Sequence, residues 1–201
     1  SVKGFFLLNE GNMGSNKATL DYFDYETGIY HKNIYAERNP GVVQELGDVG
    51  NDIQIYGNKL YAIINCSHFV EVMNVETAKH ITQISIPNCR YIVFKDKYAY
   101  VSSYAGPVKI DPNARLGYVA RVDTTTLTVK DTCVVGYQPE EMVIVGNKLY
   151  VANSGGYRVP NYDRTVSVID LNTFKVIKTI DVGINLHRME LDQYGNIYVS
   201  S

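Results

Sequence analysis

Apolar and polar residues alternate with a period of two along most of this chain. Val70-Glu71-Val72-Met73-Asn74-Val75 and Thr165-Val166-Ser167-Val168-Ile169-Asp170 are clear stretches of it. Such alternation predicts strands with one face packed and the other turned away. Between the strands stand Gly, Asn and Asp, the residues of tight hairpin turns.

The turns recur in a fixed setting. Gly57-Asn58-Lys59-Leu60-Tyr61-Ala62 returns as Gly146-Asn147-Lys148-Leu149-Tyr150-Val151. Asp96-Lys97-Tyr98-Ala99-Tyr100-Val101 and Gly195-Asn196-Ile197-Tyr198-Val199 are weaker copies. Tyr61, Tyr100, Tyr150 and Tyr198 are therefore spaced by 39, 50 and 48 residues. Gly4-Phe5-Phe6-Leu7-Leu8-Asn9 is a partial first copy that ends like Tyr150-Val151-Ala152-Asn153. Each copy has a short apolar run before the turn and the Leu-Tyr-Val strand after it. A variable loop, an alternating run, a second tight turn and an outer run such as Lys175-Val176-Ile177-Lys178-Thr179-Ile180 follow.

Each repeat therefore reads as four antiparallel strands joined by hairpins. One such sheet cannot bury both its faces, so repeats of about 40–50 residues are expected to stack around an axis. The predicted class is all-β, a β-propeller of four-stranded blades over 4–35, 51–86, 90–135 and 140–182, with part of another at 187–201. The first lacks its opening strand. An open arc would leave bare sheet edges, which proteins avoid. The expectation is one propeller domain over 1–201, incomplete at its C-terminal end: four to five blades of about seven, scaled from the repeat length.

Composition narrows the function. The chain has 201 residues, 45% of them hydrophobic, with 17 Tyr and no Trp. The formal charge of −2 excludes a nucleic-acid binder driven by net charge. No apolar run approaches the roughly 18 residues of a membrane span. Cys66, Cys89 and Cys133 lie far apart and are expected as buried or half-buried thiols.

Leu149-Tyr150-Val151-Ala152-Asn153, with Val166-Ser167-Val168-Ile169-Asp170-Leu171-Asn172-Thr173 after it, resembles the YVTN-type β-propeller repeat of bacterial surface and secreted proteins. The many Tyr and Asn residues and the Gly-Asn-Lys-Leu-Tyr turns are similar to those of surface lipoproteins of gut anaerobes. Some of these capture cobalamin and pass it to an outer-membrane transporter. The resemblance implies an extracytoplasmic protein, at the cell surface or in the periplasm. It also implies a corrinoid held across one face by Tyr, Asn and Arg loops, with a transporter as partner.

The residues themselves favour the same face. The turns joining first to second and third to fourth strands are short, and no room for a ligand is expected there. The second-to-third loops are long and Gly-rich. One carries Asn12, one Tyr104 and Arg115, and one Tyr157, Arg158 and Tyr162. His68 lies in a shorter loop of this face, and Arg90, His187 and Arg188 open blades beside it. Tyr offers a flat apolar ring with a polar tip, and Arg a fork of donors for phosphate, carboxylate or amide oxygens. These ten residues are the candidate ligand contacts.

Chemistry is poorly provided for. Positions equivalent around a channel are Asp52, Arg90, Glu141 and Arg188, two of them cationic, an arrangement that disfavours a divalent metal and suits salt bridges. No G-x-S-x-G nucleophile turn occurs. The reading is a non-catalytic binding protein for a small molecule, with no cofactor. The alternatives are a lactonase- or lyase-like propeller using a channel metal, and a protein–protein scaffold.

Overall fold

The computed structural model describes residues 1–42, 46–183, 186 and 188–200. They form two compact units, 1–85 and 86–201.

The first unit opens with β1 (Gly4–Asn9), β2 (Thr19–Asp24) and β3 (Tyr30–His31), a three-stranded antiparallel sheet. After a short helix, α1 (Ile34–Arg38), come β4 (Gly50–Tyr56), β5 (Lys59–Ile64), β6 (Phe69–Asn74) and β7 (His80–Ser85). These four pair in chain order, each antiparallel to the next. Leu20, Leu60, Ala62, Ile64 and Met73 form the centre of the core, with Ile34 and Tyr35 of α1 packed on it.

The helix has a local cause. Asn33 takes a left-handed backbone (φ 51°) and its side chain accepts from the Ala36 N–H, capping the single turn. A buried polar network holds it down. Tyr35 Oη donates to Glu71 Oε1 at 2.9 Å, and His80 Nδ1 bonds the same carboxylate oxygen. Glu71 is fully buried, and burial pushes its carboxyl above the usual carboxylate range. Asn39 uses its whole amide, donating to the Tyr35 and Ala78 carbonyls and accepting from the His80 N–H.

The second unit holds β8 (Cys89–Lys95), β9 (Tyr98–Ser103), β10 (Leu116–Asp123) and β11 (Thr128–Tyr137) as one four-stranded meander. A second is made by β12 (Pro139–Val145), β13 (Lys148–Asn153), β14 (Thr165–Asp170) and β15 (Lys175–Asp181). A final pair is β16 (Arg188–Leu191) with β17 (Ile197–Ser200). Tyr100, Val119, Met142, Leu149, Val151 and Ile169 fill the core between the two four-stranded sheets. Cys89 and Cys133 are buried and Cys66 is half-buried.

Two devices repeat. Each four-stranded sheet has a register shift near the start of its first strand, at Gly50/Asp52, Cys89/Ile92 and Pro139/Met142. Such bulges re-aim side chains away from the ladder. At the third-to-fourth hairpins a carboxylate or amide closes the turn. Asp24, Asn74 and Asp123 each accept from the backbone N–H groups two and three residues on.

The turn carboxylates set a pH dependence. Backbone hydrogen bonds hold the Asp123 carboxyl below its ordinary value of 3.8, and Asp24 is lowered in the same way. A carboxylate with a depressed folded-state value stabilises the fold above its ordinary value and ceases to do so as pH falls through the folded one. The unfolding midpoint is expected to fall as pH drops through 3.8. Asp123→Asn should make that fall shallower. A variant whose acid profile overlays the parent's would show that this carboxylate is not linked to folding.

Candidate functional site

A recurring asparagine pins the mouth of one long loop in each unit. Asn153 ends β13, and its Nδ2 donates to Thr165 Oγ1 (3.1 Å) and Ser167 Oγ (2.9 Å) of β14. Asn9 does the same at the end of β1, donating to Thr19 Oγ1 and Asp21 Oδ2, both at 3.0 Å. These clamps keep the two strands in register up to the point where the chain leaves the sheet.

In the second unit, loop 104–115 and loop 154–164 are knitted into one layer. The Asp111 N–H donates to the Tyr157 carbonyl (2.7 Å), Arg158 Nε to the Ala114 carbonyl (3.2 Å) and Asn161 Nδ2 to the Pro112 carbonyl (3.3 Å). The rings of Tyr104 and Tyr157 meet edge-on, 6.1 Å between centroids. Gln138, in a left-handed conformation (φ 49°), links the layer to β12. Its Oε1 accepts from the Tyr157 N–H at 2.7 Å, and its carbonyl from Ser154 Oγ at 2.9 Å.

Beneath the layer lies a desolvated polar cluster. The bulges opening β8 and β12 turn Arg90 and Glu140 toward each other, Nε to Oε2 at 2.9 Å. Tyr104, 2% exposed, donates its hydroxyl to Glu140 Oε1, and the Arg90 guanidinium lies 4.9 Å from the centre of its ring. Burial alone would lower the Arg90 guanidinium, but Glu140 beside it holds it above its ordinary value. Burial and the same carboxylate drive the Tyr104 phenol far upward. Arg90, named among the candidate ligand contacts, here pairs with Glu140, the neighbour of the channel position Glu141.

A pocket of about 240 Å³ opens over this cluster. Tyr104 and Gln138 lie on one side of it, and Lys109, Asp111, Asn113 and Arg115 line the rest. Lys109 and Arg115 are exposed. Among the described residues neither has a carboxylate within ion-pair distance.

The other candidates are placed as follows. Tyr157 is half-buried in the layer. The Arg158 guanidinium lies 3.5 Å from the centre of the Tyr137 ring and also donates to the Asn161 carbonyl, so it serves the layer itself. Tyr162 is half-buried in the same loop, and Arg188 is exposed at the start of β16. His187 lies outside the described residues. In the first unit, the Asn12 loop and the His68 loop meet at Asp48. Its carboxylate accepts from the Gly14 and Asn16 N–H groups, while its backbone bonds Ser67 Oγ and the Cys66 N–H. His68 is exposed, with φ 62°.

Sequence reasoning missed Lys109 and Gln138, neither of which breaks the repeat pattern. It also expected no room on the short-turn side, and there the structure differs. In the first unit an apolar pocket of about 950 Å³ lies among Phe5, Phe6, Tyr22, Ile53 and Val75. In the second, a pocket of about 630 Å³ lies between the turns of neighbouring sheets. Short turns leave space when the side chains around them are long.

Solved structures share this architecture. The hydrazine synthase of Kuenenia stuttgartiensis is 18% identical, with a TM-score of 0.73 over 98% of this chain and 52% of that one. The WD40 β-propeller domain of Doa1 is 14% identical, with a TM-score of 0.62 over 93% of this chain and 58% of that one. The dihydro-heme d1 dehydrogenase NirN is 10% identical, with a TM-score of 0.59 over 89% of this chain and 35% of that one. This chain spans about half the length of the first of these. With the sheets described above, these likenesses establish a β-propeller fold. No curated protein matches the chain. The model of a family described as a domain of unknown function, DUF5074, matches residues 3–201, and the chain belongs to that family.

Proposed function

We propose that this chain is a non-catalytic binding module of the bacterial cell exterior, and that the loop layer of its second unit receives a polar small molecule, a corrinoid of the cobalamin type. The observation that carries the reading is the joining of loops 104–115 and 154–164 into one layer around a pocket rimmed by Lys109 and Arg115. A loop surface fixed before the ligand arrives avoids the ordering cost of binding. A corrinoid is far larger than a 240 Å³ pocket. It would lie across the loops and seat one amide arm or its nucleotide phosphate between the two cations. The repeat and loop style that resembles cobalamin-capturing lipoproteins supports the ligand, an outer-membrane transporter as partner, and a surface or periplasmic location. Among the described residues no group of three or more His, Cys, Asp or Glu converges as a metal site would require.

Calorimetric titration of the full-length protein with cyanocobalamin tests this. One-to-one binding is expected, weakened about tenfold by Arg115→Ala, the loss of one charge-assisted contact. Absence of heat at micromolar ligand, together with an unchanged unfolding midpoint, would remove the corrinoid.

A further inference from the structure

The short-turn side of the second unit holds an unusual concentration of positive charge. Tyr98, the first residue of β9, has three cations against its ring: Lys130 Nζ at 5.0 Å, Lys97 Nζ at 5.2 Å and the Arg121 guanidinium at 4.9 Å from the centroid. Lys130 also donates to the Tyr98 hydroxyl at 2.8 Å. Lys95 comes from the end of β8 and donates to the Gly146 carbonyl of the next sheet's turn. All four cations, with Asn147 and Asn172, line the 630 Å³ pocket.

The carboxylates nearby are largely engaged. Asp131 takes the Arg121 guanidinium in a two-pronged pair, Nε to Oδ1 at 2.8 Å and Nη2 to Oδ2 at 2.5 Å. Asp123 closes the β10–β11 turn through the Thr125 and Thr126 N–H groups, with Lys97 and Lys130 acting on it only through space. Asp96, in the β8–β9 turn, is the remaining acid of the pocket. Among the described residues, Lys95, Lys97 and Lys130 have no carboxylate within ion-pair distance. Their convergence depresses the Tyr98 phenol, chiefly through Lys130.

Arg121 is matched by Asp131, but Lys95, Lys97 and Lys130 make no ion pair with Asp96 or Asp123, and a bound anion would add the direct counter-charge these three ammonium groups lack. We propose that this pocket binds the oxyanion ester of a hydroxylated small molecule, a sugar phosphate or sugar sulfate, through Lys95, Lys97 and Lys130. The ammonium groups supply point charges for the tetrahedral head group. Asn147 and Asn172 line the same pocket, and their amides are suited to the hydroxyls of such a molecule. This site uses none of the residues assigned to the corrinoid and stands apart from that reading.

Titration of the full-length protein at low salt with glucose 6-phosphate and with glucose 6-sulfate tests it. Saturable one-to-one binding of at least one ester is expected at millimolar concentration or below. Lys97→Ala and Lys130→Ala should each weaken it about tenfold, while Arg115→Ala leaves it unchanged. Both lysines are exposed, so the variants should fold, and circular dichroism checks this. Bound anion should also raise the pH at which a tyrosinate signal appears, and Tyr98→Phe should abolish that shift. If the phosphate is the ligand, affinity should rise with pH as it gains its second charge near ~6; a sulfate shows no such rise. Failure of both esters to bind, or binding indifferent to both lysine variants, would overturn the proposal.

Discussion

Replacing Glu140 by alanine is expected to cost the second unit about 3–5 kcal/mol of stability, the range for removing one partner of a buried ion pair. Glu140 accepts from Arg90 Nε and from the Tyr104 hydroxyl, and its side chain is 8% exposed. Without it, the guanidinium stays largely desolvated beside a phenol that has lost its acceptor. The magnitude follows from taking the carboxylate away from a desolvated guanidinium and a buried phenol, and not from the worth of the pair. Arg90→Met combined with Glu140→Met should therefore recover much of the loss, because apolar groups of similar volume need no partner. Urea unfolding of the two single variants and the double variant gives the coupling directly. A Glu140→Ala loss below about 1 kcal/mol, typical of exposed pairs, would show that water reaches the cluster and that the floor of the loop pocket is wet.

That cluster shows where sequence reasoning stops. Strand pairing was legible because each hairpin carries its own signal. Gly57 and Gly146 supply the positive φ of their turns (61° and 58°), and the period-two pattern sets which residues face the core. The likeness of Asn9 to Asn153 was visible as letters, and the structure turns it into one clamp made twice. Helix α1 escaped notice because five residues are too few for a helical period to appear. Arg90 and Tyr104 looked like ligand contacts because polar residues at a loop boundary usually face water. Only the bulges at Cys89/Ile92 and Pro139/Met142 turn Arg90 and Glu140 together, and a bulge of this kind leaves no mark in a pattern of apolar and polar letters. The cationic pocket was hidden for another reason. Lys95, Lys130 and Asn172 belong to three different hairpins, and each alone is an ordinary surface residue.

Asp163→Ala is expected to detach the loop layer. One carboxylate oxygen accepts from the Tyr137 N–H at 2.8 Å. The other accepts from the Arg164 and Thr165 N–H groups at 2.7 and 3.0 Å and from Thr165 Oγ1 at 2.7 Å. It thus ties the end of β11 to the start of β14 across the mouth of loop 154–164. Leaving two half-buried N–H groups without an acceptor costs roughly 1–3 kcal/mol each, so a loss of about 2–6 kcal/mol is expected in denaturant unfolding. The backbone has closed in around this carboxylate. A Cβ on Gly136 would lie 2.5 Å from Asp163 Oδ2 and 2.4 Å from Asn153 Cγ, and one on Gly155 would lie 2.3 Å from the Asp163 nitrogen. Gly155→Ala also forces alanine to a φ of +53°, so it should reproduce the Asp163→Ala phenotype by displacing the same loop. Asp163→Asn, which keeps an acceptor oxygen on one side, should recover part of the loss. Limited proteolysis locates the damage: cleavage should concentrate within 154–164 in both disruptive variants while β13 and β14 stay protected. Cleavage spread evenly over the unit would instead mean that the carboxylate stabilises the sheets themselves and not the attachment of the loop.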